Sequence, residues 1–209
     1  MSVEVYVETG QKKVFVSAYD WPGWSRGAKT EEEALEALAD YAPRYTPVAR
    51  AAGRTLPAPT FSIVDRIKGD GTTDFGVPHV LAPRDGTRIT KAKAGQLADL
   101  VEAAWSLFDD GVAVAPAKLA KGPRGGGRDR DQVVEHVLNA EKAYAAKIGL
   151  RLAVPPYSDP LAVKEFRAAI ADVLRAAEPP AAGKWPVRYA ARRIAWHVLD
   201  HLWEIEDKS

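Results

Sequence analysis

The sequence predicts an α+β protein: a small antiparallel αβ unit over residues 1–85, then a four-helix bundle over residues 86–209. Three observations predict it. Apolar and polar residues alternate with period two in the N-terminal third. From about Thr90 the apolar period changes to 3.6. Four amphipathic stretches of helical length then follow, joined mostly by connections of modest length, which suits antiparallel neighbours in a bundle.

The elements follow in order. Val3, Val5 and Val7 alternate with Glu4, Tyr6 and Glu8; beyond Thr9-Gly10-Gln11, Val14, Val16 and Ala18 alternate with Phe15, Ser17 and Tyr19. Period two on both sides of a short turn containing Gly predicts a β-hairpin. Pro22-Gly23 punctuates the chain, and Thr30 with Glu33 forms a capping box that starts a helix striped by Ala34, Leu35, Leu38 and Tyr41. Pro43 and Pro47 interrupt its continuation. A further strand is expected over about Phe61 to Ile67, and the stretch rich in Gly, Asp, Thr and Pro from Lys68 to Arg88 reads as loop. The helices carry apolar stripes on Leu97, Leu100, Val101, Ala104, Trp105 and Phe108; on Val133, Val137, Ala140, Tyr144 and Ile148; on Leu161, Phe166, Ile170, Val173 and Leu174; and along a terminal helix from about Pro186 to Asp207. Pro160 suits the first position of the third of these, after Ser158 or Asp159.

Composition removes several function classes. The 29 basic residues are balanced by 28 acidic ones, so a general nucleic-acid field is absent and nucleic-acid binding is disfavoured. The absence of Cys excludes disulfides, thiolate metal sites and a cysteine nucleophile. The N-terminus lacks the pattern of a signal peptide, and no apolar run reaches the ~18 residues of a membrane span. A cytoplasmic protein without membrane attachment is the expectation.

The chemistry concentrates in "WHVLDHLWEIED", residues 196 to 207. At about 100° per residue, with His197 at zero, His201 lies about 40° to one side. Glu204 lies about 20°, Arg193 about 40° and Asp200 about 60° to the other. Apolar residues fill a sweep of about 260°, far wider than the ~100° stripe of a surface helix, so a narrow polar arc holding both histidines should be buried. Imidazoles at i and i+4 can reach one metal ion, but a catalytic ion usually takes three protein ligands. His136, beside the apolar stripe of its own helix, is the candidate third; His79, in a loop, is the weaker one. The competing reading is two histidines near a helix C-terminus, where the macrodipole favours a cation.

Two other stretches point to anions. "KGPRGGGRDRD" (121–131) sets Lys121, Arg124, Arg128 and Arg130 around three glycines before a helix; it can clamp a phosphate or carboxylate, or simply be a basic linker in which Asp129 caps the helix with Gln132 at N3. It is not a Walker A loop. Arg188, Arg192 and Arg193 lead to the histidine pair, and with Arg124 and Arg128 they can form an anionic-substrate pocket, or pair with the acids of the bundle. Trp105, Trp185, Trp196 and Trp203 read as core or pocket wall, and Trp21 and Trp24 as residues between the two units.

One histidine on the second of four helices and His-x-x-x-His on the fourth resemble the DinB superfamily. The resemblance spans about Thr90 to Asp207 and implies that His136, His197 and His201 hold a divalent metal (Zn, Ni, Mn or Fe), with Asp200 and Glu204 orienting the imidazoles. It also implies metal-dependent thiol transfer, or alternatively hydrolysis, on a small thiol or anionic substrate. "KVFVSAYDWPGWSRGAKTEEEALEALADY" is similar to HicB-like antitoxin domains. That likeness supports the rival expectation of a non-catalytic module in which the first unit binds a partner protein and the histidines are structural. The combined arrangement resembles that of bacterial proteins, for which a homodimer is a further expectation.

Overall fold

The computed structural model describes residues 2–122 and 126–209. Among them are a sheet of four strands and seven α-helices, a mixed α+β architecture. The predicted hairpin is present: β1 (Val3–Thr9) pairs antiparallel with β2 (Val14–Ala18), Val5 opposite Ala18 and Thr9 opposite Val14. β2 is buried along its whole length because both faces of the sheet are covered. β3 (Ser25–Ala28) extends the sheet beyond β2. At the start of α1 (Glu31–Asp40), Glu33 N–H donates to Thr30 Oγ1 at 3.2 Å and Thr30 N–H to the Glu33 carboxylate at 3.3 Å, the capping box expected there.

The structure departs from expectation in three places here. Pro43 does not end helical structure. It falls in the first turn of a second helix, α2 (Ala42–Ala51), where a missing N–H costs nothing, and Pro47 is accommodated inside that helix. The sheet is not purely antiparallel either. β4 (Phe61–Lys68) pairs parallel to β1, giving the order β3-β2-β1-β4. The two helices return the chain to the end of the sheet from which β1 starts, and such a crossover is what a parallel pair needs. The expected loop after β4 contains the short helix α3 (Gly71–Phe75), capped by Asp70, whose carboxylate accepts from Thr72 N–H at 2.7 Å, and a 3₁₀ turn, Pro83–Gly86.

Four long helices follow: α4 (Lys91–Val114), α5 (Arg130–Lys147), α6 (Pro160–Ala176) and α7 (Val187–Lys208). Thr90 caps α4, and Asp159 caps α6 with Pro160 in its first turn. α4 packs on α6 and α7, and α5 packs on α7. Leu161, expected on the apolar face of α6, is 64% exposed, because that face begins at Val163. α7 is covered from two directions, and 14 of its 22 residues are buried, which accounts for its wide apolar sweep. On one side lie the other long helices. On the other is the Trp21–Trp24 turn, where Gly23 has φ +90° and an added Cβ would stand 2.6 Å from Leu199 Cδ1 and 3.1 Å from the Ala195 backbone. Trp24 stacks on Tyr45 and donates its indole N–H to Leu38 O at 2.9 Å. One contiguous core therefore runs from Val5, Val16 and Trp24 through Leu38 to Leu97, Phe108, Ile194 and Leu199. No helix among the described residues is long and apolar enough to cross a membrane.

Candidate metal centre

The packing of α5 against α7 brings His136, His197 and His201 together, with one ligand atom from each lying within 4.8 Å of the others. The two α7 histidines stand one turn apart with ring centroids 4.6 Å apart, and His136 reaches in from α5, its ring 4.8 Å from that of His201. The Nε2 atoms of His136 and His197 are 3.1 Å apart. His197 and His201 are 8% and 9% exposed, so water does not dominate their surroundings.

Burial and the neighbouring His201 and His136 lower the His197 pKa to about 2, and burial, His201 and Arg128 lower that of His136. Both rings are thus neutral at pH 7, as metal ligation requires. Glu204 Oε2 lies 2.8 Å from His201 Nδ1. That hydrogen bond, together with Lys208 at 2.5 Å, lowers the Glu204 pKa to about 2. An ionised carboxylate only accepts, so His201 Nδ1 carries the proton of this contact, and Nε2 is the ring nitrogen that would serve as a metal ligand.

A divalent ion fits this donor set. Tetrahedral metal–nitrogen bonds of ~2.0–2.1 Å place neighbouring nitrogens ~3.3 Å apart, close to the 3.1 Å separation of His136 and His197 Nε2. Two imidazole nitrogens at 3.1 Å either share one proton or oppose lone pairs, and a shared cation resolves that opposition. The weakest support is at His197, whose Nδ1 is buried without a hydrogen-bond partner; the Tyr144 ring stands edge-on to it at 5.7 Å.

The other predicted residues are placed differently. Asp200 does not touch the imidazoles: its larger angular offset turns it toward β3, where it accepts from Arg26 Nη1 at 3.2 Å. Arg192 is buried against Asp85 with both terminal nitrogens engaged, and Arg188 pairs with Asp20 at 2.5 Å, so these two arginines tie α7 to the N-terminal unit. Arg124 lies outside the described residues. Arg128 is exposed and close enough to depress both His136 and His197. Asp129 N–H donates to Gln132 Oε1 at 2.9 Å, while the Asp129 carboxylate is taken by Lys118 and Lys121. The His79 ring is held by Asp70 at 2.8 Å.

One constellation escaped the sequence reading. Glu141, 1% exposed, accepts from the Trp105 indole at 2.7 Å and from Arg167 at 3.1 and 3.2 Å, and Arg167 also bonds Asp109. Burial raises the Glu141 pKa, against the pull of Arg167. This network joins α4, α5 and α6 under a cleft of about 950 Å³. Its signal was legible: Glu141 stands four residues after Val137 on an apolar stripe, and Arg167 four after Val163.

Compared with protein-family models, curated proteins and solved structures, the chain matches none.

Proposed function

We propose that this chain is a divalent-metal protein of DinB-like type preceded by a HicB-like unit, with His136, His197 and His201 holding the ion. The observation that carries the reading is the convergence of three imidazoles from two packed helices, their ligand atoms within 4.8 Å of one another. Three imidazole ligands suit Zn, Ni or Fe better than Mn, which favours oxygen ligands. An ion bound there supplies Lewis acidity at the positions the protein leaves open.

The chain's own residues set the conditions. Glu204 orients His201, and burial keeps His197 unprotonated. Arg128 and Arg193 add positive charge beside the histidines, which favours an anionic substrate, a thiolate or a carboxylate. Thiol transfer is the reaction class this reading favours, with hydrolysis second. Elemental analysis of protein purified without chelator tests it: about one equivalent of a transition metal is expected, lost in His197→Ala. Equal, negligible metal in both overturns it.

A further inference from the structure

The cleft of about 950 Å³ above the Glu141 network has the size of a small-molecule pocket. Trp105, Tyr157, Pro160 and Val163 give it apolar walls, and Arg167 and Asp109 bring charge to it. Apolar walls around a few polar groups are how such pockets are built. Apolar side chains also gather at its mouth. Five large apolar residues are exposed among the described residues, and three of them stand here. Tyr157 lines the cleft, Leu161 follows Pro160 in α6, and Val114 precedes Ala115, whose carbonyl accepts from the cleft residue Arg130. Glu141 lies five residues after His136, about 140° round α5, so the cleft sits on a different face of that helix from the histidine cluster.

The charges at its floor do not cancel. Glu141 takes Arg167 Nε and Nη2 with its two oxygens and so matches the guanidinium charge by itself. Asp109 is a second carboxylate on the same guanidinium, held through Nη1 alone at 2.9 and 3.0 Å, and its side chain is 51% exposed. A structural pair needs one acid. The second leaves a net negative charge at the floor, with carboxylate lone pairs open to the cleft. At the rim Glu102 pairs with Arg175 and Asp131 with Arg130, Asp159 caps α6, and Lys164 is exposed to solvent. A calcium ion takes about six to eight oxygen ligands, which Asp109 alone does not supply. A monovalent organic cation suits both features: its charge meets Asp109, and its body lies against aromatic rings.

We propose that this cleft binds an organic ammonium ion with an apolar body, its charge held by Asp109 and its body by Trp105 and Tyr157. The site is separate from the histidine cluster and does not depend on a metal there. Arg167, fixed by Glu141, positions the Asp109 carboxylate for the guest.

A charge series on one shape tests it. Phenethylammonium, phenethyl alcohol and hydrocinnamate share the ring and differ in charge. Each is titrated into the isotope-labelled full chain at constant pH and ionic strength, and NMR follows the assigned Trp105 indole N–H. The ammonium should shift that signal saturably, with Kd on the order of 1 mM for a fragment of this size. The alcohol and the carboxylate should bind about tenfold more weakly. Asp109→Asn keeps an acceptor for Arg167 at a half-exposed position, and should weaken the ammonium about tenfold, to the level of the alcohol. A Trp105 signal unmoved by the ammonium, hydrocinnamate binding as tightly, or unchanged affinity in Asp109→Asn overturns the proposal. The three probes on the wild type decide the matter even if Asp109→Asn does not fold.

Discussion

Asp85→Ala removes the carboxylate that both terminal nitrogens of Arg192 use, in a place where Asp85 is 1% and Arg192 6% exposed. The loss leaves a guanidinium buried with none of its nitrogens on an acceptor, since Arg192 Nε already has no partner. It also strips Ala82 N–H of its acceptor at 2.7 Å. Breaking one side of a buried pair costs about 3–5 kcal/mol. The Tyr6 and Tyr19 rings, 4.9 and 5.3 Å from the Arg192 guanidinium, are already counted in the native state and return little of it. At about 2–4 °C per kcal/mol for a chain of this length, Tm should fall by roughly 6–20 °C. Urea unfolding of Asp85→Ala, Arg192→Met and the double variant gives the coupling directly. The double variant should recover most of the loss, because no charge is then left buried. A cost below about 1 kcal/mol for Asp85→Ala, or a double variant as unstable as the summed singles, refutes the reasoning and reopens a ligand role for Arg192.

Glu204→Gln keeps the shape of the contact to His201 but removes its charge; metal affinity should fall about 10–100-fold in competition titrations while the unfolding midpoint of metal-free protein stays close to wild type. Gly23→Ala must place a Cβ against Leu199 and the Ala195 backbone at φ +90°, and a cost of about 2 kcal/mol or more in urea unfolding is expected, with a neutral outcome contradicting the close approach. The metal-free protein should also lose stability in acid. His197 has its pKa lowered to about 2 by burial. The unfolded chain returns it to about 6.5 and so binds more protons in between. Stability is then full above about pH 6.5 and declines below it, by ~2 kcal/mol at pH 5 from this residue alone. His136, shifted the same way, adds to the decline, and a stability flat from pH 7 to 5 argues against buried neutral imidazoles.

Much of the fold was legible because local patterns determine it. The hairpin, the Thr30–Glu33 cap and the four long helices each follow from periodicity or capping chemistry within a few residues. What stayed hidden depends on distant packing. β4 lies parallel to β1 only because two helices carry the chain back, and Pro43 reads as a breaker until the second helix is seen to begin there. The angular reading put Glu204 beside the histidines correctly, but Asp200, on the same polar arc, turns to Arg26 from a strand far away in sequence. Arg188 and Arg192 likewise looked like ligand groups, because their partners, Asp20 and Asp85, belong to the N-terminal unit. Glu141 is hidden in the sequence because, after Val133 and Val137, the helical period fits Ala140 and Tyr144 as well as the buried line through Leu138, Glu141 and Ala145.

The central claim is that three histidines act as one site, and His136 is the member whose contribution no spacing within α7 could establish. Calorimetric titration of chelator-stripped protein with Zn or Ni, on the wild type and on His136→Ala, His197→Ala and His201→Ala, measures it directly. One equivalent should bind the wild type, and each single variant, His136→Ala included, should bind at least 100-fold more weakly. Wild-type affinity in His136→Ala would contradict the three-histidine site and leave the α7 pair as two buried imidazoles on a helix.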